Sequence, residues 1–185
     1  MPPKKRLSSL RCLHGPCNTY FVSTPIGTMQ ILSCANGLHS VGQVEDPDFQ
    51  PDPHCISWFE AYFKYPKSLA DFSLPPFCQC ICSPKGLFLE TVWLTLASKV
   101  PFGTTTSYGS LAKLAGRPGA AIAVGSAMRK NPFQILVPCH RVIKSNGQNG
   151  NYCGGTKNQL KNWLLDHERN SLSTELTSRS VTTVC

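Results

Sequence analysis

Short runs of β-branched and aromatic residues flank Pro25-Ile26-Gly27 within residues 18–33, which predicts two strands around a tight turn, with a third strand over residues 38–44. Residues 45–54 hold three prolines and four acids and predict a surface loop, followed by a helix over 56–63. The stretch 66–86 carries Pro66, Pro75, Pro76 and Pro84 without a helical period, the mark of a connecting segment. Beyond it the period changes. Leu87, Val92, Trp93, Leu96 and Val100 recur at helical spacing until Pro101-Phe-Gly103 stops them, so a helix is predicted over 86–100. Ser107 can cap a short helix through Leu114, Gly116-Arg-Pro-Gly119 makes a tight turn, and a second helix over 120–130 ends in Arg129 and Lys130. A last helix over 157–167 places Leu160, Trp163 and Leu164 on one side, and the Ser- and Thr-rich residues 171–185 are predicted to be disordered.

The two short helices across a Gly/Pro turn read as a helix-turn-helix, and the second is built from small residues (Ala120, Ala121, Ala123, Gly125, Ser126, Ala127) that let its backbone lie close to another surface. Charge points the same way. Residues 1–84 balance 6 Lys+Arg against 6 Asp+Glu, whereas residues 85–170 hold 11 against 3, so the excess of +8 lies in the second half, in Lys85, Lys99, Lys113, Arg117, Arg129, Lys130, Arg141, Lys144, Lys157, Lys161 and Arg169. A polyanion is the natural partner of such a surface. With 185 residues and 41% of them apolar, the chain suffices for one good-sized domain or two small ones. Its apolar runs fall far short of the ~20 residues of a membrane-spanning helix, and no apolar core follows the basic Met1–Arg6 to make a secretion signal. An intracellular protein without a membrane span is expected.

Ten cysteines in such a chain are therefore read as thiols rather than as five disulfides. Cys12 and Cys17, Cys34 with His39, and Cys78, Cys80 and Cys82 lie in the neutral half and suggest a metal. Cys139 suggests chemistry. It sits in Asn131-Pro-Phe-Gln-Ile-Leu-Val-Pro-Cys-His-Arg-Val142, beside an imidazole and a guanidinium that can shift a thiol, with a free pKa of ~8.5, toward its nucleophilic anion.

Pro138-Cys-His-Arg-Val142 resembles the signature of the O6-alkylguanine-DNA alkyltransferases (methylated-DNA–protein-cysteine methyltransferases). The resemblance runs from Phe102-Gly-Thr-Thr-Thr-Ser-Tyr108 through Ala127-Met-Arg-Lys-Asn-Pro132 to Asn151-Tyr-Cys-Gly-Gly155 and Trp163-Leu-Leu-Asp-His-Glu168, and more thinly over Ser23–Gly27, Cys34–His39 and Trp58–Phe63. It implies an α/β protein with a small N-terminal antiparallel sheet-and-helix domain of ribonuclease H-like type (1–84), a C-terminal winged-helix or helix-turn-helix domain (85–170) and a tail (171–185). The implied activity is single-turnover transfer of the alkyl group from O6-alkylguanine, and from O4-alkylthymine, in duplex DNA to the chain's own Cys139, with the lesion flipped out of the stack.

The resemblance also implies roles. Cys139 is the alkyl acceptor, His140 takes its proton through a water, Glu168 orients the imidazole, Asn131 organises the active-site segment, and Tyr108 hydrogen-bonds the leaving guanine. The carbonyls of Cys139 and Val142 and the amide of Cys153 read the base edge, and Met128, Arg129, Arg117, Ile122 and Ser145 belong to the DNA and substrate surface. Three positions depart from relatives. Ile122 replaces an intercalating arginine, and an apolar wedge can also hold a base step open. Cys153 replaces a serine. Gln134 replaces a proline of the pocket wall in vertebrate members, which predicts weaker inactivation by bulky benzylguanines. The family's structural zinc implies Cys34 and His39 as ligands, completed by Cys17 and Cys80, with Cys12 and Cys78 as the alternatives. The expected partner is double-stranded DNA, the expected state a monomer, and the expected location the nucleus of a eukaryotic cell or otherwise the cytoplasm. A rival reading, a cysteine hydrolase using Cys139 and His140, lacks an evident oxyanion loop.

Overall fold

The structure, a computed structural model, describes residues 12–45, 56–81 and 87–179. Three strands, β1 (Asn18–Thr24), β2 (Gly27–Cys34) and β3 (Gly37–Gln43), form an antiparallel meander. The hairpin closes where Thr24 pairs with Gly27, whose φ of +107° a side-chain-bearing residue rarely adopts. Alternation puts Val22, Met29, Ile31 and Val41 on one buried face, against Phe59 and Tyr62 of helix α1 (Ile56–Lys64). The predicted loop over 45–54 falls largely outside the described residues, as do Lys4-Lys5-Arg6 and Cys55, Cys82 and Cys185.

The free edge of β3 does the positioning. Near its start, Leu38 donates to the carbonyl of Pro76 at 2.8 Å and Cys78 donates back to Leu38 at 2.9 Å, so the connecting segment is stitched on as a parallel bridge. A Cβ at Gly37 would lie 2.3 Å from the Pro76 oxygen, which is why glycine stands there. Near its end, Val41 donates to Pro132 at 2.7 Å and Gln134 donates to Val41 at 2.9 Å. Two segments distant in sequence thus satisfy an edge that would otherwise be open, and their rings meet, Phe77 stacking on Phe133 at 3.9 Å between centroids.

The second half is helical, with α2 (Leu87–Lys99), α3 (Tyr108–Leu114) and α4 (Ala121–Arg129) close to their predicted places. Ser107 caps α3 through its hydroxyl, which accepts from the Ser110 amide at 3.0 Å. A short parallel pair, β4 (Thr106–Ser107) and β5 (Val142–Ile143), links α3 to the active-site turn. The indole of Trp93 donates to the Ala127 carbonyl at 2.9 Å, locking α2 to α4. One hydrophobic cluster runs from Met29 and Val41 through Tyr62 and Leu96 to Leu111, Val124, Phe133 and Leu164, so both halves share a core. Burying one such leucine contributes about 2–3 kcal/mol. Among the described residues no helix is long and apolar enough to cross a membrane.

Two expectations need correction. The connecting segment is not without helix: Pro66–Asp71 and Gln79–Ile81 form 3-10 turns, too short to show a period. The tail is helical at its start, because the last helix, α5 (Asn158–Arg179), runs past residue 171 as far as Arg179. Ser171 and Ser173 turn their hydroxyls back onto the carbonyls of His167 and Arg169, and Leu172 packs against Gly103, where a Cβ would lie 2.1 Å from its Cδ1.

Candidate active site

Asn131 follows α4 and shapes the loop that ends at Cys139. Its Oδ1 accepts from the Phe133 amide at 2.9 Å, while its Nδ2 donates to the Val137 carbonyl at 2.9 Å and to Cys139 Sγ at 3.2 Å. The loop between carries Ile135, buried and at φ +72°, a strained conformation for a β-branched residue held by the surrounding packing. Cys139 opens a 3-10 turn, Cys139–Arg141, and its thiol is half-buried. Burial pushes that thiol above its ordinary pKa, against lowering by Asn131, by the nearby Tyr152 hydroxyl and by the charge of Lys161. The Tyr152 hydroxyl is buried and approaches without reaching hydrogen-bond geometry.

Glu168, projecting from α5 and fully buried, collects the groups behind the thiol. Its Oε1 takes His140 Nε2 at 2.7 Å and the Tyr62 hydroxyl at 2.7 Å. Arg141 donates through Nε at 2.9 Å to Oε2 and through Nη2 at 2.9 Å to Oε1, and the Gly103 amide donates to Oε2 at 2.9 Å. Burial alone would raise the carboxyl's pKa, but the hydrogen bonds and charges of His140 and Arg141 hold it well below the usual range, so it is a carboxylate. Burial also keeps His140 below its ordinary pKa despite that carboxylate, so the imidazole is neutral. With Glu168 accepting from Nε2–H, the free lone pair is on Nδ1, which is buried without a protein partner among the described residues. The expected help of Arg141 to the thiol is corrected here, because its guanidinium is committed to Glu168 and to the Val100 carbonyl at 2.8 Å.

In front of the thiol lies a cavity of about 620 Å³, whose wall includes Tyr108, Ile122, Met128, Arg129, Cys139 and Cys153. The structure therefore brings together most of the predicted surface. Ile122 projects from α4 with 89% of its area exposed. Tyr108 is half-buried, and burial and the Cys139 charge raise its pKa against Arg129, leaving a neutral hydroxyl. Arg117, Ser145, Val142 and Gln134 are not on this wall. Arg117 lies over the Phe88 ring at 5.6 Å, Ser145 is exposed beyond β5, and the Val142 carbonyl accepts from Lys161 Nζ at 2.6 Å. Gln134 turns to β3, accepting from the Gln43 amide at 3.3 Å, and does not line this cavity, contrary to the pocket-wall expectation.

Three participants were missed in the sequence. Tyr62 looks like a core aromatic of an amphipathic helix, and Gly103 like a helix stop. Lys161 was counted with the basic surface but is buried, its pKa lowered to about 8 by desolvation against the attraction of Cys139. A lysine one turn from apolar Leu164 and Leu165 was the available hint.

A second cluster sits at the other end of the β3 edge. The ligand atoms of Cys12, Cys34, His39 and Cys78 all lie within 4.8 Å of one another, and all but Cys12 are buried. Cys34 and His39 of the expected set belong to this group, together with Cys12 and Cys78, the alternatives to Cys17 and Cys80. The Leu38–Cys78 pairing fixes Cys78 beside the strand carrying His39. Cys80 and Cys17 stand next to the group, at 3.5 Å and 3.9 Å from His39 ring nitrogens.

Residues 87–170 match the family described as 6-O-methylguanine DNA methyltransferase, DNA binding domain. Over 168 residues the chain is 38% identical to the methylated-DNA–protein-cysteine methyltransferase of Mus musculus, spanning 80% of this chain and 79% of that protein. It is similar in structure to the O6-methylguanine methyltransferase of Mycobacterium tuberculosis, with a TM-score of 0.60 at 30% identity over 84% of this chain and 94% of that one. The same organism's OGT in complex with DNA gives a TM-score of 0.59 at 30% identity over 82% and 92% of the two chains.

Proposed function

The chain belongs to the methylated-DNA–protein-cysteine methyltransferase family, and from that premise we propose that it repairs O6-methylguanine in duplex DNA by moving the methyl group onto its own Cys139. The observation that carries the reading is the Cys139 thiol at the wall of the cavity, held by Asn131 in front and backed by the neutral His140 and ionised Glu168. His140 Nδ1 takes the thiol proton through a water, Sγ attacks the methyl carbon, the S–C bond forms as the C–O6 bond breaks, and the electron pair leaves on guanine. Tyr108, neutral and facing the cavity, donates to the developing purine anion. Because burial keeps the resting thiol protonated, the base is required rather than ornamental. The thioether is stable, so each molecule acts once.

The helices α3 and α4 serve as a helix-turn-helix, with the basic second half on the phosphates and Ile122 as the wedge behind an extruded nucleotide. Lys161, being buried, is left out of that phosphate surface. Cys12, Cys34, His39 and Cys78 fit a structural zinc: three sulfurs and one nitrogen, mostly buried, on three separate segments of the N-terminal half. When bound, the ion crosslinks those segments and takes no part in the transfer. The test of function uses a duplex carrying labelled methyl on guanine O6. One methyl is transferred per protein molecule in a single burst without turnover, and none by Cys139→Ser; continued turnover, or transfer by the variant, refutes the reading.

A further inference from the structure

His140 does not have the Glu168 carboxylate to itself. Tyr62 reaches it from α1, in the N-terminal half, with its hydroxyl 2.7 Å from Glu168 Oε1 and 3.3 Å from His140 Nε2. His140 Nε2 lies 2.7 Å from the same oxygen. Three polar atoms thus meet at one point, and the ionised carboxylate oxygen is the one that can only accept. Both hydrogens therefore point at Oε1. Were the hydroxyl to donate to Nε2 instead, the imidazole would carry its hydrogen on Nδ1 and could not take the thiol proton. Tyr62 is fixed in place: it is 1% exposed, Trp58 stacks on its ring at 5.7 Å, and the rings of Phe63 and Phe102 meet it edge-on. Burial and the Glu168 charge raise its pKa well above the ordinary value, so the hydroxyl keeps its hydrogen.

We propose that Tyr62 is a positioning residue of the methyl transfer, whose hydroxyl draws charge from Glu168 Oε1 and so sets how strongly His140 holds a proton. The imidazolium that forms when His140 takes the thiol proton is held by the negative charge on Oε1, and hydrogen bonds to an ionised group are the strong ones. Each further donor on that oxygen disperses charge the imidazolium would otherwise face. Burial lowers the proton affinity of His140, Glu168 raises it, and the charges of Arg141 and Lys161 lower it; the Tyr62 hydroxyl acts through the carboxylate. His167, on the other side of Tyr62, directs Nε2 at the Tyr62 carbonyl at 3.1 Å, away from the hydroxyl. A phenylalanine would fill the same space in α1 and satisfy its apolar pattern, so packing accounts for the ring and leaves the hydroxyl to the relay. The N-terminal half thereby supplies a polar group to the reaction of the C-terminal half.

This inference rests on the alkyl-transfer reading above. Single-turnover transfer from duplex O6-methylguanine is followed from about pH 4.5 to 8, and the His140 ring is titrated by NMR over the same range. In Tyr62→Phe the acid limb of the rate and the His140 midpoint are expected to rise together by about one pH unit, the sense expected when a carboxylate loses a donor. Fluorotyrosine placed at position 62 keeps the ring and strengthens the hydroxyl as a donor, and is expected to move both downward. A merely structural role would lower stability and leave limb and midpoint in place. An unmoved limb or midpoint, or a shift in the opposite sense, in either variant overturns the proposal, and the fluorotyrosine protein decides it alone where Tyr62→Phe does not fold. Absence of methyl transfer by the unaltered protein overturns the alkyl-transfer reading instead, and the NMR titration then still decides whether Tyr62 sets the proton affinity of His140.

Discussion

Glu168 shows how one side chain can set both stability and chemistry. It is buried among Tyr62, His140, Arg141 and the Gly103 amide, so its charge is bound by short hydrogen bonds rather than by water. Replacing it by Gln leaves the Arg141 guanidinium uncompensated, at a cost of about 3–5 kcal/mol. Because its folded pKa is depressed, its contribution to stability is full above the ordinary value of 4.5 and is lost as pH falls below it. Urea unfolding is therefore expected to show wild-type stability declining below pH 4.5 and a shallower decline in Glu168→Gln; parallel declines contradict this. The same variant is expected to transfer methyl about 10²–10⁴ times more slowly, having lost the group that leaves His140 Nδ1 free. Cys139, His140 and Glu168 were legible because chemistry needs those residue types and a family motif marks them. Tyr62 and Lys161 were not, since nothing local distinguishes a core aromatic or a solvated lysine from one that folding brings to an active site.

At the scale of elements, α4 turns Ile122, Gly125 and Arg129 to the cavity while Val124 and Ala127 anchor its other face. Ile122, exposed at the cavity rim, has no packing reason to be apolar. As a wedge it offsets part of the few kcal/mol needed to unstack a base. Ile122→Ala is expected to slow repair of a duplex about tenfold, a loss of ~1.4 kcal/mol, while leaving reaction with free O6-benzylguanine unchanged. Equal slowing of both reactions, or of neither, sinks the wedge. The helices and the meander were readable from periodicity and turn residues such as Gly27. The extension of α5 past residue 171 was not, because Ser171 and Ser173 favour other conformations locally, and what anchors the helix there is Leu172 packed at Gly103, a distant contact.

For the whole molecule, the organising feature is the edge of β3, which ties the thiol cluster at one end to the active-site loop at the other. Phe77 against Phe133 joins the two attachments, so the thiol cluster and the placement of Cys139 share one support. That arrangement was hidden in the sequence. The pairings join β3 to residues 76–78 and 132–134, and strand-edge bridges of this kind carry no local pattern beyond the Gly37 that makes room for one of them. Which thiols gather around His39 follows from this hidden pairing, which is why counting along the chain left Cys12 or Cys17 and Cys78 or Cys80 open. The central claim is that one sulfur receives the carbon. Treat the protein with an excess of duplex bearing O6-methylguanine, digest it, and map the mass added when S–H becomes S–CH₃. The addition is predicted on the peptide containing Cys139 in every reacted molecule; its appearance on Cys153 instead, or an unmodified Cys139 after the lesion is consumed, contradicts the account.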